Sequence, residues 1–104
     1  MKKISLDELF WHDSLIDSVS SDPEETTFDY RVEYPVDWEA NRFEMRTIRF
    51  CNTTSHEIDE IELAGRITIL DATEFSCDGL GVELKTNAGT RRIQCSHLES
   101  DAEA

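Results

Sequence analysis

Residues 27–34 constrain this chain most. Phe28, Tyr30, Val32 and Tyr34 alternate there with Thr27, Asp29, Arg31 and Glu33. A strict two-residue period belongs to a strand buried on one face, whereas a helix repeats every 3.6 residues. Once one such strand exists it needs partners, and the rest of the chain supplies them. Pro35 is expected to end this strand, because proline lacks the ladder N–H. Residues 43–50 form a second strand whose apolar set moves from Phe43 and Met45 to Ile48 and Phe50. A β-bulge near Arg46 and Thr47 would produce that change of face.

The other strands are shorter or less regular. Residues 15–20 alternate imperfectly and precede a turn around Pro23. Residues 67–75 are rich in β-branched side chains. Residues 81–86 and 91–95 flank Asn87-Ala88-Gly89-Thr90, a hairpin in which glycine supplies a positive backbone angle. Residues 56–63 fit a helical turn or a strand equally well. Ahead of all these, Ser5-Leu6-Asp7-Glu8 reads as a capping box opening a short helix over residues 6–10. Trp11 is expected to pin that helix to the sheet. The fold class is therefore mostly β (α+β): an antiparallel sandwich or open barrel of about six strands with one short N-terminal helix. Residues 1–98 form a single domain, with fraying expected from Ser96 and an acidic, disordered tail over residues 99–104.

Composition limits what such a domain can bind. The chain has 104 residues, and 23 acids against 10 bases give a net charge of −13. Residues 4–41 hold eleven of the acids and one base, Arg31. A negative field of this size repels phosphate backbones and anionic lipid and attracts basic partners. The same charge also serves solubility without any partner. No stretch is long and apolar enough for a membrane span, and no signal-peptide h-region follows Met1. The three cysteines, Cys51, Cys77 and Cys95, are odd in number and widely spaced. That pattern is unlike a secreted disulfide framework, and cytoplasmic location with free thiols is the consistent expectation.

Motifs that carry chemistry are sparse. His12-Asp13 could ligate a metal or exchange protons, but a pair alone is not a site, and the expected role is to hold a turn. Cys95 and His97 would share a strand face and, with His56 and either Cys51 or Cys77, could surround zinc. The missing C-x-x-C spacing argues against it, so neither a metal nor a cofactor is expected. There is no GxSxG elbow and no phosphate loop. An enzyme or metal-binding domain built on His12, Asp13, His56 and His97 is one alternative. A nucleic-acid mimic, whose acids would follow phosphate spacing, is another. The leading expectation is a non-catalytic module that covers a basic protein surface. Trp38 would anchor it, with Asp37 and Glu39 beside it in the loop over residues 36–41 and Asp29 and Glu33 on the preceding strand.

The stretch Leu9-Phe10-Trp11-His12-Asp13-Ser14-Leu15-Ile16-Asp17-Ser18-Val19 resembles the opening of a group of small bacterial domains. These begin with an aromatic-x-His-Asp-Ser stretch and continue as β-rich chains, and some are immunity-protein-like products of toxin–immunity loci. The resemblance implies a bacterial cytosolic β-domain that binds protein. It carries no catalytic residues over to this sequence.

Overall fold

A computed structural model describes residues 1–9, 11–37 and 39–101. The chain is mostly β. The described residues form nine strands, β1 (Lys2–Ile4), β2 (Ser14–Asp22), β3 (Thr27–Asp37), β4 (Arg42–Cys51), β5 (Ser55–Glu60), β6 (Ile67–Phe75), β7 (Leu80–Thr86), β8 (Gly89–Cys95) and β9 (His97–Ser100). They form one antiparallel sheet in the order β1-β9-β4-β3-β2-β6-β7-β8-β5. The expectation of about six strands undercounts it, because β1, β5 and β9 are short pieces without clear alternation.

The 3-10 turn Leu6–Glu8 takes the place of the expected helix. Glu8 does reach back to the Ser5 N–H, at 3.3 Å. The chain nevertheless becomes extended at Leu9, where Leu9 and Trp11 turn into the core. Trp11 is 6% exposed, and its Nε1 donates to the Leu6 carbonyl at 2.8 Å. It pins the N-terminal turn as expected.

The alternating strand carries the core. Tyr30 and Val32 are fully buried, with Phe28 and Tyr34 packed at either end of the same face. Pro35 does not end β3. It lies opposite Phe43, beyond Leu15↔Glu33, where pairing to β2 stops. There, among the described residues, β3 pairs on one side, with β4, so a residue without an N–H is tolerated. The bulge expected at Arg46 and Thr47 is also absent. Pairing runs without a slip from Phe28↔Phe50 to Pro35↔Phe43, and the irregularities fall at Val36 and, in β2, at Asp17. β4 keeps one phase throughout, with Ile48 and Phe50 inward and Phe43 and Met45 exposed on the outer face. The apparent change of face in the sequence is an apolar pair left outside.

Residues 89–100 bring the two halves of the sheet together. β8 pairs with β7 and β5, whereas β9, one residue later, pairs with β4 and β1. At the bend between them the Ser96 N–H donates to the Cys51 carbonyl at 2.8 Å. The inner faces then enclose Ile48, Phe50, Ile69, Val82, Leu84, Ile93 and Leu98 with Tyr30 and Val32. Fraying from Ser96 does not occur over residues 97–100, which are sheet, and Asp101 accepts the Thr47 N–H at 2.8 Å. The last three residues of the expected tail lie outside the described residues. Among the described residues, no helix is long and apolar enough to cross a membrane.

Gly89 shows why the last hairpin needs its glycine. Its φ is +153°, and a Cβ there would run into the backbone of Asp59 on β5. Glycine permits both the angle and the close approach of the edge strand.

Candidate functional site

The outer face of β2, β3, β4 and β9 carries a pocket of about 360 Å³. Register builds it. Ser20 lies opposite Asp29, Asp29 opposite Arg49, and Arg49 opposite Glu99. One step further, Cys51 lies opposite His97. On a pleated sheet these pairs share a face. Asp29 holds Arg49 bidentately, at 2.7 and 2.9 Å, and these hydrogen bonds raise the guanidinium pKa above its ordinary value.

Cys51, His97 and Glu99 converge at one end of the pocket, with one ligand atom of each within 4.8 Å of the others. His97 Nε2 lies 3.1 Å from Glu99 Oε2, and Nδ1 lies 2.9 Å from Ser96 Oγ. Asn52 donates to the same Ser96 oxygen at 3.0 Å. Burial, followed by the Glu99 charge, raises the Cys51 thiol pKa. The hydrogen bond to His97 lowers that of Glu99. A Cys–His nucleophile needs a depressed thiol pKa and a histidine that takes the thiol proton. Here the thiol pKa is raised and His97 Nε2 is engaged with Glu99, so the group does not have that order.

The partner expected for His97 is different. Cys95 and His97 do not share a face, because the bend at Ser96 breaks the alternation. Cys95 is in the core at 3% exposure, and burial pushes its pKa up to about 12. His56 lies elsewhere, in an inner network. Tyr30 Oη and His56 Nε2 are 2.6 Å apart, and Arg91 donates to Tyr30 Oη at 3.3 Å. Tyr30 Oη therefore accepts from Arg91 and shares a hydrogen bond with His56 Nε2. Arg91 also grips Glu60 bidentately at 2.9 and 2.8 Å, and Thr86 Oγ1 donates to Glu60 at 3.0 Å. Phe28 stacks on His56 with centroids 4.3 Å apart. Burial and then Arg91 lower the His56 pKa, and burial raises that of Tyr30. Burial also pushes Glu60 upward, but the bonds from Arg91 and Thr86 outweigh it and hold the carboxyl below its usual range.

His12 and Asp13 form a 3.2 Å contact on the surface. Asp13 adopts a positive φ of 67° in the turn, and its N–H donates to the Ile69 carbonyl. The structure thus does not assemble His12, Asp13, His56 and His97. Among the candidate partner-binding residues, Asp29 is held by Arg49 and Glu33 by Arg66, at 2.8 Å. Asp37 accepts the Glu39 and Ala40 N–H groups at 3.1 Å, shaping the β3–β4 turn, and Glu39 is exposed. Trp38 lies outside the described residues.

Glu99, Tyr30, Glu60 and Arg91 are the site and network residues that sequence reasoning missed. The alternation of His97 and Glu99 was a usable signal for the first. Nothing local signalled the other three. Comparison with protein families, curated proteins and solved structures finds no match to this chain.

Proposed function

We propose that this chain is a non-catalytic, acidic protein-binding module that covers a basic surface on its partner. One observation supports the reading above the rest. Phe43 and Met45 stand exposed on the outer face of β4, at 37% and 40%, beside the turn formed by Asp37 and Glu39. An apolar pair next to uncompensated acid suits an interface with an apolar centre and a charged rim. The adjoining backbone is also open. β9 pairs with β4 only from Ile48 onward, so residues 42–46 form a free edge among the described residues, and a partner strand could add there. The two nearby bases lie on the opposite face of β4 from Phe43 and Met45, where Arg42 and Arg46 share Glu44 at 3.7 and 3.0 Å.

Asp29 and Glu33 carry less of this reading than Asp37 and Glu39, since internal arginines already neutralise them. Immunity or inhibitor proteins are the class that the N-terminal resemblance favours, and three free thiols suit a reducing cytoplasm. The finer class of the fold belongs to the same proposal. It is an open barrel of β2, β3, β4, β6, β7 and the continuous segment 89–100, with β1 and β5 as additions at its edges.

The test is affinity capture from native lysate at low salt, followed by association kinetics with the captured protein. Asp37→Asn with Glu39→Gln should slow association, and Phe43→Ser with Met45→Ser should speed dissociation. Capture that is indifferent to both pairs of substitutions would overturn the assignment of this surface. Absence of any basic protein at low salt would leave the charge as a solubility device.

A further inference from the structure

We propose that Cys51, His97 and Glu99 bind one divalent transition-metal ion of the zinc class, with water completing its coordination. The donor set is a thiolate, an imidazole and a carboxylate, which suits a borderline-soft ion. Three protein ligands with a fourth position open to a pocket is the usual arrangement for an accessible zinc. The ligand atoms already lie within 4.8 Å of one another, and two neighbouring strands of one sheet hold them there.

Hydrogen bonding around the group supports the same conclusion. Cys51 Sγ and His97 Nε2 both lie close to the one Glu99 carboxylate, with His97 at 3.1 Å. A cation between the three groups would replace that hydrogen bond. Behind His97, Ser96 Oγ is placed to accept from Nδ1 while it donates to the Cys51 carbonyl at 3.2 Å. Asn52 fixes the same hydroxyl. An Nδ1–H held by an outer partner, leaving Nε2 free, is how metal-bound histidines are oriented. In the bound form the His97 proton sits on Nδ1, the Cys51 Sγ proton leaves to solvent, and the ion takes the lone pairs of Nε2 and Sγ. The surrounding charge favours a cation, because Asp22, Glu25 and Asp29 line the same pocket and Asp29 holds the one arginine there.

The experiment titrates metal-free protein with zinc alone by calorimetry, and with cobalt(II) alone by absorption. One ion per chain and a thiolate-to-cobalt charge-transfer band are expected. Both should be lost in Cys51→Ser and His97→Gln and kept in Cys77→Ser. Ser96→Ala should weaken binding by about 10- to 100-fold, the usual cost of losing an outer partner. Glu99→Gln guards against misfolding of the cysteine variant. It should lose affinity while retaining the wild-type far-ultraviolet circular dichroism spectrum. No saturable binding, or binding that survives Cys51→Ser or His97→Gln, would overturn the proposal, the latter by placing the ion on the acidic surface instead.

Discussion

The inner network and the outer pocket contain nearly the same residue types arranged for different ends. Each has a histidine, a bidentate arginine–carboxylate pair and a hydroxyl. Inside, Arg91 and Glu60 have side chains only 10% and 8% exposed, and all three guanidinium nitrogens of Arg91 are hydrogen-bonded. Outside, Arg49 and Asp29 are 36% and 24% exposed, and Glu99 meets His97 in the lining of an open pocket. A saturated, dehydrated network locks one geometry and offers nothing to a ligand. A group whose ligand atoms gather beside open solvent can take up an ion. Residue type did not decide which cluster was which; satisfaction and solvent access did.

Breaking each ion pair tests that contrast most strongly. Glu60→Ala should cost about 3–5 kcal/mol in denaturant unfolding, because it strands the buried Arg91 charge. Asp29→Asn should cost about 1 kcal/mol or less, because water replaces the lost partner. Equal losses would mean that the two pairs are equivalent after all. Tyr30→Phe comes next, at about 1–3 kcal/mol, since His56 and Arg91 then each lose a buried partner. A neutral result would show that water enters the inner network.

The pH response is a subtler probe. Below the ordinary histidine value of 6.5, the unfolded chain takes up a proton that half-buried His56 refuses, with Tyr30, Arg91 and Glu60 as its charged or titratable neighbours. Stability should therefore fall as pH drops from 8 through that window. The depressed Glu60 pKa extends the loss at lower pH. Mutual repulsion among the crowded acids acts in the opposite sense, because it would make folding more favourable on acidification. Thermal melts at pH 8 and pH 5.5 decide which wins, and His56→Gln should flatten the slope between them. The smallest effect belongs to Phe43→Ser and Met45→Ser, each within about 0.5 kcal/mol of wild type because both side chains already face solvent. A loss of several kcal/mol would mean that the face of β4 changes after all.

Much of the fold was legible because strand alternation is a local property. Phe28, Tyr30, Val32 and Tyr34 declared one buried face, and Gly89 declared its turn. The errors came where local rules met neighbours. Pro35 continues β3 because, among the described residues, pairing to β2 has stopped by then. Phe43 and Met45 mimicked a bulge because an exposed apolar pair breaks the expected pattern without bending the chain. Residues 97–100 looked like a tail because four residues are too few to alternate convincingly, yet β1 and β4 pair with them on both sides.

By itself, the sequence determined that the chain would be β-rich, acidic and centred on the strand of residues 27–34. Side-chain period, charge and turn chemistry need no knowledge of distant residues. The meeting of Cys51 with His97 and Glu99, and of Tyr30 with His56, Arg91 and Glu60, was decided only by tertiary structure. Pairing register acts between segments far apart in the chain, and a shift of one residue would turn each of these side chains to the opposite face.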